Sequence, residues 1–301
     1  MGKLYKHIPN FIVLIAKLLS ENIKSFNAQK MKKIMIMGVA TLLAISSCTT
    51  TVVPLTGRKV QTFGVSAADL EQQAATGYAE FLHDPATKVI SGTTDAARVK
   101  RVGTSIQNAV TQYMNANGFG EQIKNYKWEF NLVESPEVNA WCMPGGKVAV
   151  YSAILKVTQD DAGLATVLGH EIAHAIAQHS LERASDMMKA QIGGAVVGAA
   201  TSGKSEATQN VINQIYGLGA QGAYILPNSR KQELEADKMG LSFMAMAGYN
   251  PQSALAFWQR MAAASAGGQK PPVFLSTHPT DEARIAQIQQ DLPEAMKYYK
   301  K

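Results

Sequence analysis

Cysteine is almost absent from this sequence. Among its 301 residues only Cys48 and Cys142 occur, and Cys48 ends a segment in which a covalent modification is expected, as described below. With Cys48 modified, no intramolecular disulfide is possible, and Cys142 is expected to be a small buried hydrophobic residue. Since 46% of the residues are hydrophobic, a chain of this length is expected to bury one substantial core without such cross-links.

Net charge is also missing from most of the chain. The formal charge of +6 arises from residues 1–47, which hold seven of the 29 basic residues and one of the 23 acidic residues. From position 48 onward, 22 residues of each sign therefore remain. A nucleic-acid partner, which would require a basic surface, is accordingly not expected.

Apolar runs long enough to span a bilayer as a helix are lacking too. The runs at 11–19 and 192–200 are too short. Residues 31–47 instead have the layout of a bacterial secretory signal, with basic residues, a short apolar stretch and then small residues. Residues 45–48, Ile-Ser-Ser-Cys, resemble a lipobox, in which cleavage leaves an N-terminal cysteine that carries acyl chains.

This signal predicts the organisation of the chain. A fresh Met-Lys-Lys start follows the first thirty residues, so we expect Met31 to be the true initiator. The predicted parts are an upstream extension (1–30), a signal peptide (31–47), a lipid-anchored tether (48–53) and one folded domain (54–301). We expect the mature protein on the periplasmic side of a bacterial envelope, held in a membrane by acylated Cys48, with the outer membrane favoured over the inner one.

The most informative stretch is His-Glu-Ile-Ala-His at 170–174. As a helix, it places His170 and His174 one turn apart on the same face, where two imidazoles can bind one metal ion. Glu171 lies beside them, close enough to meet a metal-bound water without binding the metal. The neighbouring positions are apolar or small, so this helix is expected to be buried, and buried ionisable groups need partners. A metal ion would be such a partner.

The third ligand has to come from elsewhere in the chain. A metzincin-type continuation would place a glycine and a third histidine after His174, but Ala177 and Ser180 occupy those positions. His179 lies roughly opposite His170 on the helix, and we do not expect it to join the site.

A second acidic motif provides candidate ligands. Ser229 and Gln232 predict a capping box that begins a helix. Glu233 and Asp237 fall on one face of this helix, next to the small residue Gly240. Small residues on that face would allow a close approach to the helix that carries the histidines.

Glu233 and Glu235 are both candidates for the third ligand. They are separated by about 200° around the helix axis, so they cannot face the same metal. We expect Glu233 to be the ligand, because it shares its face with the small residues. Glu235 is expected to form an exposed ion pair on the side of Lys231 and Lys238.

The remaining pattern predicts helices over 67–82 and 95–114, a strand over 128–132 and a hairpin over 139–151 that directly precedes the histidine helix. Two interpretations of the hairpin stay open: an edge strand that aligns a substrate backbone, or a hairpin of the core. His278, in a loop after an apolar Phe-Leu pair, is either a surface residue or part of the site.

Three blocks of this sequence resemble the M48 family of zinc metallopeptidases. They are His-Glu-Ile-Ala-His at 170–174, Ser-Arg-x-x-Glu-x-x-Ala-Asp at 229–237 and Ser-Thr-His-Pro-x-x-x-x-Arg-Ile at 276–285. The hairpin at 139–151 is similar to the strand pair that precedes the metal helix in that family, although Trp141 and Cys142 stand where smaller residues are expected. The resemblance covers roughly residues 54–301.

The resemblance implies an α+β fold: a mainly helical, gluzincin-like metallopeptidase domain with a small β-hairpin or sheet beside the HExxH helix. It implies one zinc ion per chain, held by His170, His174 and Glu233 with a water in the fourth position. Glu171 would transfer the water's proton to the leaving amine. His278 would stabilise the oxyanion, and Asp237 would orient one of the histidine ligands. Arg284 would either clamp Asp237 or a loop carbonyl, or act only in the fold.

The function implied by the resemblance is that of a zinc-dependent endopeptidase. Its partners would be unfolded or extended polypeptides of the periplasm or envelope, in protein quality control, while the oligomeric state is not assigned. The alternative is a non-catalytic periplasmic chaperone or assembly lipoprotein in which zinc stabilises the fold. Structural zinc sites usually take four ligands from the protein, and the sequence suggests no fourth ligand.

Overall fold

The computed structural model describes residues 48–195, 229–266, 273–278 and 282–300. The predicted upstream extension (1–30) and signal peptide (31–47) lie outside the described residues. In chain order the elements are β1 (Cys48–Val52), β2 (Lys59–Phe63), α1 (Ala67–His83), β3 (Lys88–Ile90), α2 (Thr94–Ala116), β4 (Glu129–Glu134), β5 (Ala140–Met143), β6 (Lys147–Tyr151), α3 (Leu155–Thr158), α4 (Asp161–Ile176), α5 (His179–Ala195), α6 (Arg230–Met246), α7 (Ser253–Ala266), α8 (Val273–Thr277) and α9 (Glu282–Met296).

The described strands form two small sheets. β1 and β2 pair with each other, and the other four have the order β3-β4-β6-β5. β4 runs parallel to β6, whereas β3 and β5 are antiparallel to their neighbours. β5 therefore lies at an edge of the larger sheet, and it packs against α4.

Side chains at the helix starts explain where several helices begin. The Ser66 hydroxyl accepts a hydrogen bond from the amide of Asp69 at the start of α1, and Asp160 accepts one from the amide of Gly163 at the start of α4. Ser229 and Gln232 form the predicted capping box of α6, with both of its hydrogen bonds present. Such caps satisfy backbone amides that have no partner within the helix.

Helix α4 is buried on all sides. Its residues from Gly163 to Ile176 are all buried, and Leu164, Leu168 and Ile172 have no exposed surface. It contacts the β5 edge, α2, α6 and α7, which suits a helix that is apolar or small all round. The polar residues that α4 carries are therefore held away from water.

Helices α4 and α6 approach each other most closely at two glycines. A Cβ atom at Gly240 would lie 2.8 Å from the amide nitrogen of His170, and one at Gly169 would lie 2.8 Å from the carbonyl oxygen of Gly240. Any side chain at either position would force the helices apart. The predicted role of small residues on α6 is thus confirmed.

The observed architecture confirms the predicted α+β class, mainly helical with a small sheet beside the HExxH helix. The stretch predicted as a tether differs, because residues 48–52 form strand β1 and pair with β2. Threonine and valine, which make up most of β1, favour this extended pairing. Within the described ranges, no helix combines the length and the hydropathy needed to span a membrane.

Candidate active site

Helix α4 brings the predicted histidine pair together. The Nε2 atoms of His170 and His174 lie 3.0 Å apart, as expected for side chains one helical turn apart. Glu171 projects beside them, and all three residues are at least 90% buried. The two imidazole nitrogens therefore converge on one point inside the protein.

Helix α6 adds Glu233 to this point. One carboxylate oxygen lies 3.4 Å from Nε2 of His170, and the other lies 3.3 Å from Nε2 of His174. The side chain is 2% exposed. The close packing of the helices at Gly240, two turns further along α6, makes this contact possible.

His278 also lies at the site. Its Nδ1 atom is 3.1 Å from Nε2 of His170 and 3.0 Å from a carboxylate oxygen of Glu233, and its Nε2 atom is 3.3 Å from Oε1 of Glu171. The His278 amide donates to the carbonyl of Phe274, whose own amide donates to the carbonyl of Val138 next to β5. The surface interpretation of His278 is therefore wrong, because the side chain is 4% exposed.

The geometry of this cluster fits a metal ion. One ligand atom from each of His170, His174, Glu233 and His278 lies within 4.8 Å of the others. Zinc bonds to nitrogen and oxygen of about 2.0–2.1 Å imply ligands about 3.3 Å apart in a tetrahedron, close to the distances of 3.0–3.4 Å seen here. In addition, the buried Oε1 of Glu171 has no hydrogen-bond partner among the described residues. Three imidazoles and a carboxylate suit zinc chemically.

An acidic residue contacts the His170 ring nitrogen that faces away from the cluster. Its Nδ1 atom lies 2.8 Å from Oδ1 of Asp237, and Asp237 in turn accepts hydrogen bonds from Nε and Nη2 of Arg284. The guanidinium carbon of Arg284 lies 3.9 Å from the ring centroid of Trp258. Asp237 thus contacts His170 rather than His174, and Arg284 clamps Asp237.

The surroundings of Glu235 and His179 differ from the prediction. The Glu235 side chain is only 8% exposed and contacts Nε2 of His179 at 3.0 Å, rather than forming an exposed pair with a lysine. His179 does not continue helix α4 but begins α5, because the chain turns at Gln178 with a φ of 58°. This turn brings its ring against the outer side of His174, with the two Nδ1 atoms 2.7 Å apart, while His179 itself is not among the clustered candidate ligands, as expected. Only the turn, which no helical pattern indicates, could have revealed this contact.

Burial and charge shift the pKa values of these groups in opposite directions. Burial lowers the pKa of His170, but the negative charges of Asp237 and Glu233 outweigh it and raise the pKa to about 9. Burial would raise the pKa of Glu233, but the three neighbouring histidines hold it far below its usual range. The carboxylate of Glu233 is therefore charged, which is the form in which a carboxylate binds a metal ion.

His174 and Glu171 respond mainly to burial. Burial lowers the pKa of His174 well below its usual value, which favours the neutral imidazole that binds metals. Burial also raises the pKa of Glu171, although His278 and His170 oppose that shift. A carboxylate with a raised pKa is a better proton acceptor.

Cys142, on the β5 edge strand, is a free thiol that packs against the core as a partly buried residue. The neighbouring Trp141 is 2% exposed and packs edge-on against Tyr78 and Phe81. The large indole therefore points away from α4, into a second apolar cluster.

A helical domain with a small sheet and a buried HExxH helix that meets a glutamate from a second helix defines the class of zinc metallopeptidases. The chain belongs to peptidase family M48, whose model matches residues 101–292. Its cofactor is zinc, for which the described residues offer the single buried cluster above.

Curated relatives share this region. The mitochondrial metalloendopeptidase OMA1 of Schizosaccharomyces pombe is 37% identical over 173 residues, which cover 58% of this chain and 49% of the relative. Human metalloendopeptidase OMA1 is 32% identical over 181 residues (58% and 34%). The beta-barrel assembly-enhancing protease of Yersinia pestis is 30% identical over 187 residues (59% and 38%). The chain thus matches about half of the length of these relatives or less.

Proposed function

We propose that this protein is a zinc-dependent endopeptidase that hydrolyses peptide bonds of unfolded or extended polypeptides. The observation that carries the proposal is the convergence of candidate metal ligands beside the buried carboxylate of Glu171, whose Oε1 atom accepts no hydrogen bond from the described residues although Nε2 of His278 lies 3.3 Å away. A buried carboxylate oxygen that accepts no hydrogen bond is costly in a merely structural site. In a hydrolase, such an oxygen serves as the general base that accepts a proton from water.

In this proposal His170, His174 and Glu233 hold the zinc ion. When bound, zinc supplies Lewis acidity that polarises the scissile carbonyl and acidifies a water molecule. Glu171 accepts the proton of the attacking water and delivers it to the leaving amine, a role that its raised pKa supports. His278 donates a hydrogen bond to the oxyanion, and Asp237 orients His170.

The proposed substrate binds as an additional strand along β5. This strand lies at the edge of its sheet and packs against α4, so a polypeptide paired with it would pass close to the cluster. Strand addition uses backbone hydrogen bonds and therefore requires an extended chain. This requirement favours unfolded proteins as substrates.

We further propose that the protein acts in quality control in a bacterial envelope, with acylated Cys48 as its membrane anchor. The lipobox-like residues 45–48 and the similarity to a bacterial beta-barrel assembly-enhancing protease support this location, with the outer membrane favoured. Mass spectrometry of the native protein tests it. The expected species begins at acylated Cys48, and a mature species that retains residues before Cys48 would contradict the anchor.

A second candidate is a non-catalytic lipoprotein, a chaperone or assembly factor in which zinc stabilises the fold. One observation favours it: Nδ1 of His278 lies within the cluster, where it could complete the four protein ligands that structural zinc sites use. In that case Glu171 would have no task beside the metal, which makes this candidate the weaker one.

Digestion of unfolded casein by the purified protein separates the two candidates. The expected result is cleavage that stops after zinc is removed with a chelator and returns when zinc is restored. Suppression of casein aggregation without cleavage by the zinc-loaded protein would establish the chaperone instead. Cleavage that persists without metal would contradict both.

A further inference from the structure

A series of buried polar side chains begins at Nδ1 of His174, the ring nitrogen that faces away from the cluster of candidate metal ligands. Nδ1 of His174 contacts Nδ1 of His179 at 2.7 Å, and Nε2 of His179 contacts Oε2 of Glu235 at 3.0 Å. His179 has no exposed surface, and the Glu235 side chain is 8% exposed. We call these three residues, together with Thr56 and Arg58, the His174 relay.

Only one arrangement of protons satisfies the inner part of the relay. With Nε2 of His174 turned toward the cluster as a ligand, Nδ1 carries the proton and donates it to Nδ1 of His179. The proton of a neutral His179 is then on Nε2, which donates to the carboxylate of Glu235. Every nitrogen in this series has a partner of the correct kind, so the tautomer of each ring is defined by the next residue.

The outer part of the relay holds Glu235 in place. Oε1 of Glu235 accepts a hydrogen bond from the Thr56 hydroxyl at 2.6 Å, and Oε2 accepts one from Nε of Arg58 at 2.7 Å. Both donors belong to the turn between β1 and β2. Together with the hydrogen bond from His179, they surround the Glu235 carboxylate with three donors, one of them the guanidinium of Arg58, and such donors favour the charged form of a carboxylate.

The backbone is arranged to make the first contact of the relay. Gln178, which separates α4 from α5, has a φ of 58° although it is not glycine. This left-handed conformation is unfavourable for a residue with a side chain, and such strain persists where the surrounding structure holds it. Here the turn, two residues after the last residue of α4, places the ring of His179 against that of His174.

We propose that His179 and Glu235 are positioning residues for the metal ligand His174, and that Thr56 and Arg58 hold Glu235 for this purpose. The inference rests on the proposed function in so far as His174 is taken as a zinc ligand. A charged carboxylate at the end of the relay stabilises the protonated Nδ1 of His174, keeps Nε2 available to the metal and fixes the orientation of the ring. Histidine ligands of metals commonly have such a partner on the outer nitrogen.

A purely structural role for the same residues makes a different prediction. The relay also connects the β1–β2 turn with α5 and α6, so its loss would lower stability in either case. Only a positioning role would change the affinity for the metal and its ligand field. The decisive readouts are therefore the zinc dissociation constant and the absorption spectrum of the cobalt-substituted protein.

The test compares Glu235→Gln and His179→Ala with the wild-type protein. Zinc affinity is measured by competition with a chromophoric chelator, and thermal unfolding of the zinc-free proteins is measured in parallel. We expect zinc to bind about 10–100-fold more weakly in both variants, as for other partners of metal-binding histidines, with an altered cobalt spectrum. Wild-type zinc affinity and an unchanged spectrum in Glu235→Gln would overturn the proposal.

Ser185→Ala is the matched control. The buried hydroxyl of Ser185, on α5, accepts a hydrogen bond from the amide of Phe63, on β2, at 2.7 Å. It joins α5 to β2, the strand that follows the β1–β2 turn, without touching the relay. This variant is expected to unfold at a lower temperature with unchanged zinc affinity. A loss of zinc affinity equal to that of Glu235→Gln would show that stability alone accounts for the effect, and would also overturn the proposal.

A milder change covers the case in which the first two variants do not fold. Thr56→Val keeps the shape of the side chain and removes one hydrogen bond to Glu235. A few-fold weaker binding of zinc supports the relay, and an unchanged dissociation constant contradicts it. If the wild-type protein binds zinc but cleaves no polypeptide, the proposed function is wrong. The zinc affinities of the variants would still show whether the relay positions His174.

Discussion

The two histidines of α4 have different supports behind them. Nδ1 of His170 contacts the carboxylate of Asp237 directly, whereas Nδ1 of His174 reaches a carboxylate only through a second imidazole. Both series end at an arginine, Arg284 for the first and Arg58 for the second. Each histidine is thus supported by a carboxylate that an arginine holds in place. The contact is direct for His170 and passes through His179 for His174.

The difference follows from where each histidine lies. His170 faces α6 at the closest contact of the two helices, so a residue one turn after Glu233 can reach it. His174 lies near the end of α4, where the chain turns into α5. His179 fills the space beside His174, and residues of the β1–β2 turn complete the series of hydrogen bonds that begins there.

The largest effect is expected at Glu233, which contacts both histidines. Glu233→Gln removes the only charged candidate ligand, so zinc content and casein digestion should fall together to near background. Metal analysis and digestion assays of the purified variant measure this.

Glu80→Gln, an exposed change on α1, is the control and should keep both zinc and activity. Stoichiometric zinc with normal activity in Glu233→Gln would show that the third ligand lies elsewhere.

His278→Ala is expected to lower the rate of digestion on the order of 10²–10³-fold, the usual cost of losing one oxyanion donor. Zinc content should remain close to that of the wild type, because His170, His174 and Glu233 still hold the ion. A loss of zinc in this variant would identify His278 as a ligand, which its distance of 3.1 Å from Nε2 of His170 also allows, and would favour the structural zinc site.

Asp237→Asn sharpens the comparison of the two sides. The amide cannot carry the charge that pairs with Arg284 and orients His170, so zinc affinity should fall about 10–100-fold. If the two sides serve equivalent ligands, the loss should be similar to that of Glu235→Gln. Competition with a chelator measures both variants, and an unchanged affinity in Asp237→Asn would remove Asp237 from the site.

The smallest expected effect concerns pH. The pKa of Glu235 is held down at about 2, below its unfolded value, so its interactions stabilise the fold fully above pH about 4.5 and are lost as the pH falls toward 2. Unfolding of the zinc-free protein by urea, followed between these pH values, should show a steeper loss of stability in the wild type than in Glu235→Gln. Parallel curves for the two proteins would contradict this.

The sequence was sufficient for the features that repeat with a helical period. The pairs His170–His174 and Glu233–Asp237 are each four residues apart, so both faces could be predicted, and the glycine contact followed from the small residues beside them. The capping box of α6 is likewise a local pattern. Local periodicity explains the agreement, because one helical turn is the same in every context.

The same reasoning missed the contacts of Glu235 and His179. A helix extended through position 179 keeps His179 out of the metal site, and His179 is indeed not among the clustered candidate ligands. Its contact with His174 was missed, because the turn at Gln178 ends the helix first. The near neighbours of Glu235 in sequence predict an exposed ion pair, whereas its partner Thr56 lies 179 residues away in sequence. Contacts between residues so far apart in sequence depend on the tertiary fold. Neither the helical periodicity nor the spacing of a local motif predicts them.

Glu171→Gln shows whether Glu171 performs the proposed proton transfer beside a zinc ion. The glutamine has nearly the same shape but cannot accept the proton of the attacking water. The zinc-loaded variant should therefore keep the zinc content and the unfolding temperature of the wild type, while its rate of casein digestion falls on the order of 10²–10⁴-fold. Digestion by the zinc-loaded variant at the wild-type rate would contradict the account.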